Sequence, residues 1–142
     1  MALVDGNDHQ IDRIETEATA RGVDVTIVVD LIHVLEYPWG AVWCIFPEGD
    51  TAAEAWVHDR ALAVLEGNAR EVAAGIRRRA TAMGLDKQKR TRADTCATYL
   101  INKASYLDYP QALAGGWPVA GGVIEGTCRY QVADRMDITV AR

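Results

Sequence analysis

Val23-Asp24-Val25-Thr26-Ile27-Val28-Val29-Asp30 is the stretch that decides the fold. It is β-branched almost throughout and too continuously apolar to alternate, which is how a strand buried on both faces of a mostly parallel sheet reads. Upstream, Ala2-Leu3-Val4-Asp5 is a second short apolar segment, ended by Gly6-Asn7. Between the two, Asn7 with Gln10 has capping-box spacing for a helix from about Asp8 to Arg21. Ile11, Ile14 and Ala18 form its inner face, and Gly22 is its stop. Strand, helix and strand make a βαβ unit, whose crossover is expected to be right-handed.

Beyond Asp30 the pattern turns helical for about eighty residues. The spacing predicts helices over roughly 33 to 46, 51 to 66, 69 to 83 and 92 to 107. Asp50 is placed to cap the second, and Asn68 with Glu71 to cap the third, whose core stripe is Val72, Ile76, Ala80 and Met83 before Gly84 closes it. Pro110 suits a first helical turn, Gly115-Gly116-Trp117-Pro118 a turn, and a last helix is expected from about Val123 to Asp134.

The 142 residues fit one domain, and 49% hydrophobic with 25% charged residues excludes a disordered or low-complexity chain. No stretch approaches the run of about 20 apolar residues that a bilayer demands, and the start lacks a secretory signal pattern, so the expected compartment is the cytoplasm, with no membrane partner. Cys44, Cys96 and Cys128 have neither disulfide-framework nor zinc-ligand spacing and read as three buried thiols. A formal charge of −5 argues against a general nucleic-acid binder, but Arg77 to Arg92 holds seven basic residues and one acid, Asp86. Arg77, Arg78, Arg79, Lys87, Lys89, Arg90 and Arg92 are therefore either a solvated helix end and loop or a surface for DNA phosphates. Trp39, Trp43, Trp56 and Tyr99 read as helix-core or interface residues rather than base-stacking platforms.

Asp30 ends the buried strand, where a side chain can enter a cleft at the carboxyl edge of a sheet; it is a candidate metal ligand or, equally, a helix N-cap. His33 follows it in a DxxH pattern. Glu125 lies in the glycine-flanked segment GGVIEGTCRYQVADRMD, four residues before Arg129, so it is either half of a surface ion pair or an acid beside a close approach that Gly126 permits. Two acids brought from distant parts of a chain suit a divalent-metal site for phosphoryl transfer, since Mg²⁺ prefers a few hard oxygen ligands.

The order of the segments VDGNDHQIDRIETEA, VTIVVDLIHVLEYPWGAVWCIFPEGD and GGVIEGTCRYQVADRMDIT resembles the C-terminal part of bacterial insertion-sequence transposases of the ISKra family, which are DDE transposases with an RNase H-like core. The resemblance covers essentially the whole chain, and the VVDxIHVLEY and GVIEGxCR blocks carry it. It implies an α/β fold: residues 1–35 as the second half of the core, 36–116 as a helical insertion, and 117–142 as the helix of the catalytic Glu. It implies that Asp30 is the second Asp of the triad, Glu125 the Glu and His33 the DxxH neighbour. Asp30 and Glu125 would hold Mg²⁺ (or Mn²⁺) for cleavage and strand transfer at transposon-end DNA. The first Asp belongs to an upstream strand outside this sequence, a role not carried over to Asp5. The expectation is thus an inactive fragment that self-associates through the open edge of the strand ending at Asp30, or a DNA-binding or protein-interaction remnant that uses residues 77–92. Pro38 stands where the family has an apolar helix former, at a cost of about 3 kcal/mol inside a helix.

Overall fold

The computed structural model describes residues 2–119. Two three-residue strands, β1 (Ala2–Val4) and β2 (Ile27–Val29), flank helix α1 (Asp8–Arg21) and pair in parallel with Val4 opposite Val29. Four helices follow: α2 (Leu31–Ile45), α3 (Ala52–Leu65), α4 (Ala69–Ala82) and α5 (Thr91–Lys103). A 3₁₀ turn (Ala104–Tyr106) leads to the short helix α6 (Tyr109–Ala114). The described part is thus mostly helical around a small parallel sheet, and none of its helices is long and apolar enough to cross a membrane.

β2 is shorter than its apolar run. Its partner offers only Ala2 to Val4, so pairing stops where β1 stops; Thr26 still accepts the Ala2 N–H at 2.7 Å, and Val23 lies 57% exposed. Ile27, Val28 and Val29 are buried, as a strand covered on both faces requires. α1 begins where Asn7 Oδ1 accepts the His9 and Gln10 N–H groups, at 2.9 and 3.3 Å. It ends at Gly22, left-handed at φ 66°, where the Val23 N–H reaches back to the Ala18 carbonyl.

The same closure ends α3, and it displaces one expected cap. The Gly67 N–H bonds Val64 and the Asn68 N–H bonds Ala63, which fixes Asn68 at ψ 36° rather than in the extended conformation that a capping side chain needs. Its side chain makes no cap bond, so Asn68 is an N-cap by position alone. Asp50, by contrast, accepts the Ala52 N–H at 2.9 Å. In α4, Val72, Ile76 and Ala80 are buried at four-residue spacing, but Met83 lies past the last helical residue and is 43% exposed, outside the stripe that the spacing assigned it to.

α2 continues through Pro38, which is buried within it. The lost N–H donor is offset by packing: Leu31, Val34, Ala41, Val42 and Ile45 are buried on the same helix, which lies against α5 and α3. The boundary expected at residues 35 and 36 falls inside this helix. Trp56 is a core residue, Trp39 is half-buried, and Trp43 is exposed rather than packed inside. Cys96 is buried, which pushes its thiol up to about 12, with Cys44 adding to the shift; Cys44 itself is only partly buried. Cys128, and the helix expected over 123 to 134, lie outside the described residues.

Candidate functional site

The carboxyl edge of the sheet is the point where α/β proteins place ligands. Of the two roles open to it by position, Asp30 takes up the N-cap: it follows the last residue of β2, and its Oδ1 accepts the Ile32 N–H at 2.8 Å at the start of α2. Its backbone is held from two sides. Toward β1, the Asp30 N–H donates to the Val4 carbonyl at 2.6 Å. On the opposite side, the Tyr109 hydroxyl donates to the Val29 carbonyl at 2.6 Å, and the Leu31 N–H donates to the Val119 carbonyl at 2.8 Å. The chain's own segment 109–119 therefore occupies that edge, and the apolar surface expected to lie open there is covered at Ile27 and Val29, with Val25 half-buried.

Parallel register makes a second acid part of this edge. Val4 pairs with Val29, so Asp5 and Asp30 each follow the last paired residue of neighbouring strands. Asp5 Oδ1 accepts the Asn7 N–H at 2.9 Å, which orients the carboxylate at the end of β1. The resemblance carries no catalytic role over to Asp5, and its adjacency to Asp30 appears only with the register of the two strands.

Tyrosines wall the edge. Gly6, at φ 92°, lies so close to Tyr99 that a Cβ built on it would stand 2.6 Å from the hydroxyl oxygen, so glycine is required on both conformational and steric grounds. Tyr99 also stacks on Tyr37, with ring centroids 3.7 Å apart. Burial, then Tyr37 and Asp5, push the Tyr99 hydroxyl above its ordinary range. Burial, followed by Tyr99 and Asp30, does the same for Tyr109. Both remain neutral donors at physiological pH. Beyond them Lys103, 8% exposed, pairs with Asp8, whose carboxyl is held below the usual range by that hydrogen bond and charge.

His33 is exposed on the first turn of α2. Glu125, and with it the expected convergence on Asp30, lies outside the described residues. Among the described residues no three His, Cys, Asp or Glu side chains gather closely enough to hold a metal ion. Asp5 and Asp30 carry carboxylates, hard oxygen donors of the kind that Mg²⁺ takes.

No family model, curated protein or solved structure matches the chain.

The seven basic residues of 77–92 are engaged in different ways. Arg90 binds Asp94 with two N–H groups, at 3.0 and 3.3 Å, and also reaches Thr81 Oγ1 and the Arg77 carbonyl. Arg77 donates to Thr98 Oγ1 at 2.8 Å and lies 3.9 Å from Asp94. These two fasten α4 to α5. Arg92 lays its guanidinium against Gly40 of α2, within 3.1 Å of where a Cβ would sit. Lys87 and Lys89 are exposed in the connecting turn, where Asp86 Oδ1 accepts the Lys89 N–H. Arg78 and Arg79 face a groove against α3 that they share with Arg60, a residue outside the basic run.

Proposed function

We propose that this chain forms part of the catalytic core of a DDE-type DNA transposase with an RNase H-like fold, carrying out divalent-metal-dependent phosphoryl transfer. The observation that carries the reading is the pair of carboxylates, Asp5 and Asp30, at the ends of adjacent parallel strands in register. Asp30 and Glu125 are the ligands that the resemblance assigns, and Asp5 joins them by its place at the edge. A bound Mg²⁺ would acidify the attacking water or 3′-hydroxyl and neutralise charge on the phosphate. The chain's own residues fix the geometry. The N-cap bond to Ile32 limits the rotation of the Asp30 carboxylate, and Tyr109 and Val4 clamp the backbone on either side of it. Tyr99 packs on Gly6, the residue that follows Asp5.

The exposed arginines support a second reading, a DNA-binding module without chemistry. Fe²⁺ substituted for Mg²⁺ and reacted with ascorbate and peroxide separates the two. The phosphoryl-transfer reading predicts backbone scission near residues 5, 30 and 125, suppressed by excess Mg²⁺. Scission absent or spread along the chain removes the metal site and leaves the DNA-binding module.

A further inference from the structure

We infer that the groove between α3 and α4 binds nucleic-acid backbone phosphates through Arg60, Arg78 and Arg79. The groove has a volume of about 370 Å³, with Trp56, Ile76 and Gly75 among its lining residues. No carboxylate lines it, and among the described residues none of the three arginines forms an ion pair. In a chain of net charge −5 that is a local concentration of uncompensated cations.

Two of the guanidiniums are already held in place. Arg60 lies over the Trp56 ring at 4.8 Å from its centroid, and Trp56 is only 6% exposed, so the platform is fixed. Arg79 lies over Phe46 at 5.6 Å. A guanidinium stacked on an aromatic face keeps its N–H edge available and loses less freedom when it binds an anion. Gly75 leaves the floor open: a Cβ there would touch only Arg78, at 3.7 Å. Arg78, Arg79 and Ala82 belong to the C-terminal half of α4, away from that helix's free N–H groups, so side chains alone must supply the donors. An enclosed phosphate pocket is normally built from such backbone donors, whereas an open row of guanidiniums suits phosphates that pass along a surface. The choice of nucleic acid rests on the DNA reading above; the charge and preorganisation of the groove do not.

The test is fluorescence anisotropy of a labelled DNA duplex between about 50 and 200 mM salt, with inorganic phosphate titrated separately by NMR. Replacing Arg60, Arg78 and Arg79 together by Gln should lower affinity at least tenfold and reduce the salt slope by about 0.9 for each phosphate no longer neutralised. Arg60→Gln alone should weaken binding several-fold, and Arg60→Lys, which keeps the charge without the stacked plane, should fall between. Melting curves that match the wild type show that the variants fold. DNA affinity that survives the triple replacement but is lost when Lys87, Lys89 and Arg92 are replaced overturns the groove and leaves the DNA reading intact. Phosphate shifts at these arginines without DNA binding overturn the assignment to nucleic acid. Metal capture is read independently by the iron scission pattern.

Discussion

Tyr109→Phe removes one oxygen atom from the point where α6 meets the sheet, and its consequences follow from three facts. The side chain is fully buried, its hydroxyl donates to the Val29 carbonyl at 2.6 Å, and its ionisation is suppressed by burial and by the neighbouring Tyr99 and Asp30. Below pH 10 the substitution leaves a buried carbonyl without its donor, which costs about 1–3 kcal/mol. For a chain of this size that lowers the melting temperature by roughly 3–12 °C. Above pH 10 the gap narrows. The unfolded tyrosine ionises near pH 10 while the folded one stays protonated, so the folded state binds more protons and wild-type stability falls as pH rises. Tyr109 contributes up to about 1.4 kcal/mol per pH unit to that fall, a slope that the phenylalanine variant lacks. Urea denaturation at stepped pH should therefore show a gap between the two proteins that is constant up to pH 10 and closes within about two units above it. Equal stability at neutral pH, or a gap that stays constant into strong alkali, would refute the reasoning.

Gly6→Ala should destabilise by about 1–3 kcal/mol, since φ 92° is strained for alanine and its Cβ meets the Tyr99 hydroxyl; Tyr99→Phe in the same chain should recover the steric part, as read by a double-mutant cycle in urea. Arg90→Ala should cost about 1 kcal/mol or more and Arg90→Lys should restore little of it, because a compact ammonium cannot reproduce two bonds to Asp94 with a third to Thr81. Asp8→Asn should lower thermal stability by leaving the buried Lys103 ammonium unpaired, whereas Lys103→Met should be neutral or stabilising. The Asp8 carboxyl is depressed in the folded chain, so its contribution is complete above the ordinary carboxylate range and disappears as pH falls through the folded value; acid titration of Asp8→Asn should lack that component.

The helices were legible because each rests on local chemistry. Apolar residues at three- and four-residue spacing mark α1 to α5, and Gly22 and Gly84 stop α1 and α4 as left-handed caps. What failed depended on where elements stop and how their ends close, which spacing alone does not fix. β2 is shorter than its apolar run because β1 is short, Asn68 does not cap because the closure of α3 holds its backbone at ψ 36°, and Met83 turns outward one residue past the end of α4. The site divides in the same way. Asp30 is visible as the end of an apolar strand, but Asp5 becomes its neighbour only through the register, and Arg60 joins Arg78 and Arg79 only when α3 packs on α4. A charge count shows Arg77 and Arg90 only as two more cations; their bonds to Asp94 and to threonines of α4 and α5 appear only when the two helices pack.

The most direct test of the central claim, that the carboxyl edge of the sheet holds a divalent cation, is a Mn²⁺ titration followed by electron paramagnetic resonance in wild type, Asp5→Asn, Asp30→Asn and Glu125→Gln. The account predicts one saturable site in the wild type, weakened at least tenfold by each of the three substitutions while melting curves stay alike. Binding that is absent, or that is indifferent to Asp5 and Asp30, would contradict it.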